Sequence, residues 1–549
     1  QKGLMENFQR YFLIACVFIM SYFLIIRWDP PHSDSTLIDS ETKVSTNSQD
    51  EDFGFIDEGL TGSPTFVPDV PDGNCDSSAN YIIDSKKWKI SLDLKDGSID
   101  KTELKNYPKY QGSDENKLMF DSCGRNEYSQ ISGFVFASEI DQGLSNFALT
   151  DISKGPLSNV YTFVRKSNNL QETKRVIFGS NDYFVKIEHL IKNLSNEEIK
   201  ISSFSKLERN SLKPPGADGA FFGDPANFAY LGPVFSTESD NYQKIRLGDL
   251  EDEDFKENSV TGWTAFLEHY FLTAIIPDQE DINVFVGKKN KTNEKYSIGS
   301  VGRPIAVSPL EEKSFSYSLY FGPKVQSELS KVNDDLPLAV DYGFLYWIGQ
   351  PMFLAMQFFY DVVGNWGWAI VLVTLLIKVI LWPLSYVSYK SMGKMRQIQP
   401  QLKEVQERHS GDRQAMSQAM MKLYKDEKVN PALGCLPMLL QMPFFLAFYW
   451  VLIETVELRY APFLMWITDL SSRDPLFILP ILNIGAMWAM QMLQPQPAGI
   501  DPMQAKLFKF MPLIFGVMFA FFPAGLVLYW LINSVVSAIQ MLLHSPRSA

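Results

Sequence analysis

The sequence predicts a multi-span α-helical membrane protein with six transmembrane helices, five of them clustered in its second half, and a large antiparallel β-sandwich domain outside the membrane. Three observations predict it. The 549 residues, 46% hydrophobic with a formal net charge of −13, fall into two chemically different halves. Residues 345–549 carry 15 Lys/Arg and 11 Asp/Glu, against 35 and 52 before them. Six apolar runs approach the length of a bilayer-crossing helix. Residues 79–330 repeatedly alternate polar and apolar positions, the period of a half-buried strand. The length exceeds that of one compact core, and the acidic first half offers DNA no electrostatic attraction.

In chain order, residues 1–28 read as an uncleaved membrane anchor. Sixteen uncharged residues, Tyr11 to Ile26, lie between Arg10 and Arg27. A signal peptide is the rival, but Trp28-Asp29-Pro30-Pro31 follows where a small-x-small cleavage site would stand. Residues 29–78, rich in Ser, Thr, Asp, Pro and Gly, read as a flexible tether.

Strands are read where alternation is clean: Trp88 to Leu94, Tyr183 to His189, Lys200 to Phe204 and Ser314 to Phe321, with turns at Asp96-Gly97 and after Asn193. His189, His269 with Glu268, and the loop from Lys213 are the only candidates for chemistry here. A lone histidine on an alternating strand is usually structural, and no two carboxylates are set at a glycosidase-like separation, so no enzyme is expected. The four cysteines show no CxxC or Cys/His spacing, and there is no GxxxxGK phosphate loop. No metal or cofactor is expected. Cys75 and Cys123 pair if this domain is in an oxidising compartment; two free thiols are the alternative.

Residues 337–363 include an uncharged aromatic stretch, Tyr342 to Tyr360, read as an amphipathic helix in the outer membrane interface. Reading it as a seventh span would move the basic loop that follows to the outer face. Within residues 364–543 the apolar runs are Trp366–Tyr389, Leu433–Ile453, Leu476–Leu493, Phe508–Phe522 and Leu526–Leu543. The loop Lys390 to Lys428 carries nine Lys/Arg and five Asp/Glu, which makes it cytoplasmic. Both termini then face the cytoplasm and the sandwich lies outside. Met395, Ile398, Leu402 and Val405, and then Met416, Met420 and Leu423, recur at helical spacing, so residues 390–430 read as a helical hairpin. Its methionines either pack the hairpin or also receive a partner, an apolar segment or ribosomal RNA. A short tail, 544–549, ends the chain.

Lys378 is the most informative residue. It sits mid-span, where an ammonium costs about 2.5–3.5 kcal/mol on insertion scales, so something must compensate. Thr374 lies one turn away, while Gln441 and the series Asn533, Ser537, Gln540 add intramembrane polarity, with Tyr529 and Trp530 one turn above Asn533. Converging, these faces line a watery cavity; otherwise Lys378 snorkels toward Ser385 and Lys390.

Val429-Asn-Pro-Ala-Leu-Gly-Cys-Leu-Pro-Met-Leu-Leu-Gln-Met-Pro-Phe-Phe, Val456-Glu-Leu-Arg-Tyr-Ala-Pro-Phe463, Trp466-Ile-Thr-Asp-Leu-Ser471, Asp501-Pro-Met-Gln504 and Phe522-Pro-Ala-Gly-Leu-Val-Leu-Tyr-Trp530 closely resemble the YidC/Oxa/Alb family of membrane insertases. The resemblance is dense over residues 340–543 and looser before them. It implies an inner-membrane insertase and folding chaperone with a periplasmic sandwich and a five-helix insertase core. It implies work on nascent inner-membrane proteins, alone or beside the Sec translocon (SecYEG, SecDF), in contact with membrane lipids and, through the basic hairpin, the translating ribosome. Lys378 matches the groove charge that is Arg in many relatives; Thr374, Tyr529 and Trp530 match substrate-contact positions. The tail is shorter and less basic than in many relatives, leaving the hairpin to serve the ribosome. The rival reading is a transporter or channel with Lys378 as counter-charge; no span repeat and no second intramembrane charge support it.

Overall fold

The computed structural model describes residues 80–124, 127–136, 143–210, 229–290, 294–409, 411–429, 436–494 and 502–544. The anchor, the tether with Cys75, the loop from Lys213 and the residues after 544 lie outside these ranges.

Alternation in the first half becomes two facing sheets. Among the described residues nineteen strands form antiparallel sheets of ten and nine strands. In the strand Leu170–Phe178 every second residue, from Leu170 to Phe178, is buried. The sheets meet through aromatic rings: Trp88 of the first lies 4.7 Å from Phe178 and 5.5 Å from Phe321 of the second. Its indole N–H, which burial would otherwise strand, donates to the Asp182 carbonyl at 2.8 Å. The predicted turn at Asp96-Gly97 holds, with Gly97 at φ 79° where other residues are strained.

A polar layer crosses this interior. Leu170, Ile191, Ile199, Ile201 and Val307 form an apolar cluster separate from the main core. Buried Glu172, Lys174, His189, Ser132, Gln130 and Tyr317 provide polar groups within the sandwich interior.

Nine longer helices follow among the described residues: α1 (Tyr346–Val363), α2 (Trp366–Ile380), α3 (Trp382–Gln397), α4 (Gln399–Arg408), α5 (Arg413–Asp426), α6 (Leu436–Glu454), α7 (Ile478–Leu493), α8 (Pro502–Phe519) and α9 (Ala524–His544). The expected run Trp366–Tyr389 is two helices. α2 stops at Ile380, and the next helical stretch is bent away by 73°. Pro383, in the first turn of α3, has no N–H to give the preceding turn and crowds it. Pro400 likewise divides the expected hairpin arm, so α3 and α4 are separate helices, with Met395 near the end of α3 still packing into the hairpin's apolar cluster.

The stretch Ala524–Leu543 is by itself long and apolar enough to cross a bilayer. Trp366–Ile380 passes that test jointly with Ser385–Gln397, and the apolar stretches Gln441–Glu454, Ile478–Leu493 and Lys509–Phe519 are shorter. Sandwich and helices share one hydrophobic core. It runs from Trp88 and Phe321 through Leu329, Leu336 and Ala339 of the connecting segment to Ile348, Ala369, Phe448 and Val527.

Candidate functional site

The polar residues of the second half converge on Lys378. The break after Ile380 places Lys378 in the last turn of α2, where the free carbonyl ends of the helix favour a cation. Its Nζ donates to Ser537 Oγ on α9 at 2.7 Å and to Gln441 Oε1 on α6 at 3.5 Å. Gln441 Nε2 donates to Asn533 Oδ1, and Ser537 Oγ donates to the Asn533 carbonyl at 2.8 Å. Two helices, α6 and α9, thus bring an amide and a hydroxyl to the ammonium that α2 carries. Among the described residues no carboxylate forms an ion pair with it. Lys378 is itself buried, and neutral dipoles rather than a counter-charge solvate its ammonium.

An aromatic layer lies one turn further out. Phe445, four residues from Gln441, sits edge-on to Trp530 at 4.5 Å and stacks with Tyr529 at 6.2 Å. Phe519 lies 5.1 Å from Trp530, and Tyr449 lies 6.3 Å from Phe522. Rings from α6, α8 and α9, with Phe522 just before α9, therefore close the polar region on the side of the sandwich.

Of the expected contact residues, Gln441, Asn533 and Trp530 are half-buried and line the region, Ser537 is buried against Lys378, and Tyr529 is 1% exposed within the aromatic packing. Thr374 is also 1% exposed, and its hydroxyl donates back to the Ile370 carbonyl at 2.7 Å, so it is not offered to an incoming segment. Sequence reasoning missed Ser388 and Tyr389 and named Ser385 only as a point toward which Lys378 would snorkel; all three are buried on α3, with Tyr389 hydrogen-bonded to Ser537. Their 3,4 spacing just after Pro383 was the available signal. Phe445 was missed because one ring in an aromatic-rich run carries no mark. In the hairpin, Met395 and Met420 pack against Ile398, Leu402 and Val429, whereas Met416 is half-buried outside that cluster.

The sandwich histidines have structural surroundings. His189 Nδ1 is 3.0 Å from Glu172 Oε1 and its Nε2 is 3.1 Å from Ser132 Oγ. The order resembles a nucleophilic triad, but all three side chains are buried and Lys174 Nζ also reaches Ser132 Oγ at 3.2 Å. His269 Nε2 meets the Ile453 carbonyl at 2.9 Å, and Glu268 binds Lys117 and Arg209. Cys123 is disulfide-bonded; its expected partner, Cys75, lies outside the described residues.

A buried cation with amide and hydroxyl partners among apolar helices, one of them long enough to cross a bilayer, and a β-sandwich sharing their core together point to the class of membrane proteins with a polar interior site. Comparison with known proteins makes this particular. Residues 358–548 match the family model described as 60Kd inner membrane protein, and residues 81–355 match that of the YidC periplasmic domain. Membrane protein insertase YidC of Pseudomonas putida (strain GB-1) is 38% identical over 553 residues, covering 97% of each chain. That of Pseudomonas fluorescens (strain SBW25) is 37% identical over 557 residues, again 97% of each. Among solved structures, a crystal structure of an active YidC insertase with its first transmembrane domain resolved aligns with a TM-score of 0.38 at 17% identity, over 86% of this chain and 93% of that one. The chain belongs to the YidC family of inner-membrane proteins.

Proposed function

We propose that this membrane protein insertase, which is not an enzyme, passes the polar flank of a client segment through the region around Lys378 while the apolar part of the client enters lipid. Burying the client helix is itself favourable; the obstacle is carrying polar groups across hydrocarbon. The observation that carries the reading is the contact of Lys378 with Ser537 and Gln441, which joins three helices at a cation that has no carboxylate partner among the described residues. Such a site shortens the polar path and attracts acidic flank residues. The aromatic layer of Phe445, Tyr529 and Trp530 speaks against a through-going channel, since it seals the polar region on one side.

In this reading α2, α6, α7, α8 and α9 are five spans, the anchor is a sixth, both termini are cytoplasmic and the sandwich is periplasmic. α1 lies in the outer interface, supported by the exposure of Tyr346, Trp347, Leu354 and Phe358 along it. Cooperation with the Sec translocon, and ribosome contact through α4 and α5, complete the proposal.

Photocrosslinkers at Gln441 and Trp530 test it in membranes translating a membrane protein, with buried Thr374 as the control position. Adducts with the nascent chain are expected at the first two. Their absence at both, in a folded protein, overturns the mechanism.

A further inference from the structure

α3 has two unlike faces. One carries Ser385, Ser388 and Tyr389, all buried, with Tyr389 turned to Ser537. The other exposes Trp382, Tyr386 and Val387, followed by Lys390 and Lys394 one and two turns on, with Arg396 exposed beside them. At helical spacing Trp382, Tyr386, Lys390 and Lys394 follow one stripe. The stripe begins next to the last turn of α2, and the 73° bend turns the helix away from the direction of that span. It therefore passes from aromatic rings to ammonium groups, the order met between the acyl-chain boundary and the phosphate layer.

The charge balance on α3 is one-sided. Its sixteen residues include three basic and no acidic side chains. None of the three forms an ion pair among the described residues; Lys390 Nζ lies 5.8 Å over the Tyr386 ring. A solvated hairpin surface looks different: on α4, Arg408 pairs with Glu404 at 2.6 Å.

We propose that α3 is an inner-interface helix whose exposed face binds the anionic phospholipid headgroups of the cytoplasmic leaflet. It would pin the mouth of the groove to the membrane surface, with its hydroxyl face turned inward and its basic face on lipid phosphate. The inference rests on the cytoplasmic placement of this segment given above. Its test reads lipid contact, not insertion, so a failed insertase mechanism would leave it standing.

The full chain, carrying Cys16→Ser and Cys435→Ser, is reconstituted in vesicles of phosphatidylcholine with a minor share of phosphatidylglycerol. A spin label at Val387→Cys is expected to collide more with oxygen than with a water-soluble nickel chelate, and one at Glu407→Cys the reverse. Equal nickel accessibility at the two sites overturns the proposal. Lipids retained on the purified protein are expected to be enriched in phosphatidylglycerol. Each cation near an anionic surface contributes about fivefold to association, so K390Q/K394Q/R396Q is expected to remove the enrichment. If that variant keeps it, the proposal fails; loss of ribosome binding instead would make the row an RNA contact. Ionic strength gives a check independent of the variant's folding: enrichment on the unsubstituted basic row must fall as salt rises, and a salt-insensitive enrichment overturns the proposal.

Discussion

Lys324 Nζ lies 2.7 Å from Glu454 Oε2, and only 2% and 4% of the two side chains are exposed. Lys324 directly follows the last sandwich strand, Glu312–Pro323, and Glu454 ends α6. Around them His269 reaches the Ile453 carbonyl, and Arg459 donates to the Pro108 carbonyl at 2.9 Å. The sandwich is thus fastened to the outer end of a helix whose other end carries Gln441.

Removing one partner leaves the other charge buried. Lys324→Met or Glu454→Leu alone should cost about 3–5 kcal/mol, while the double substitution should regain most of that, because two apolar side chains leave no orphan charge. Thermal unfolding of the full chain in detergent checks this; a double variant as unstable as the singles would contradict it.

Charge at residue 378 should matter by sign. Lys378→Arg is expected to retain insertion, since the guanidinium keeps the charge and its hydrogen bonds. Lys378→Glu should impair clients with acidic flanks most, and insertion assays with acidic and neutral flanks measure the difference. Equal insertion by both variants would show that the groove charge is dispensable.

Acid should loosen the sandwich in two stages. Burial depresses the His189 imidazole below its ordinary 6.5, so the unfolded chain takes up that proton more readily and stability falls as pH drops beneath about 6.5. Burial pushes the Glu172 carboxyl up, but the hydrogen bond from His189 and the charge of Arg165 outweigh it and hold it at about 2. A depressed carboxyl gives stability that is complete above the unfolded value of 4.5 and is lost as pH falls toward about 2. Chemical denaturation of the full chain against pH should show both declines, with Glu172→Gln flattening the lower one; an unaltered lower slope would remove Glu172 as its source.

Cys75 and Cys123 should be joined. A non-reducing peptide map is expected to recover the linked pair, and Cys75→Ser to lower stability by about 2–4 kcal/mol through the freed loop. Recovery of Cys75 as a free thiol would contradict this.

Much of the fold was legible because its signals are local. Alternation around Trp88 and in Ser314–Phe321 identified strands, and apolar runs marked where helices lie in the second half, although Trp366–Tyr389 is two helices and the helix expected from Phe508 begins at Pro502. Lys378 was legible on cost alone, since an ammonium amid Leu, Ile and Val demands compensation. The compensating residues were only candidates: Lys378 and Ser537 are 159 residues apart, and periodicity does not say which polar faces of different helices meet. Thr374 looked equivalent to Gln441 until packing turned its hydroxyl back onto its own helix.

Composition, charge distribution and periodicity by themselves determined the two-part architecture and the residue whose charge needs explaining. These follow from local burial and solvation energies, which a sequence carries directly. Only the tertiary structure decided that Lys378 ends a helix broken above Pro383, that Ser537 and Gln441 hold it, that aromatic rings roof it, and that Lys324 fastens the sandwich to α6. Each of these depends on where distant segments pack, and the energy that fixes them is shared between residues far apart in the chain.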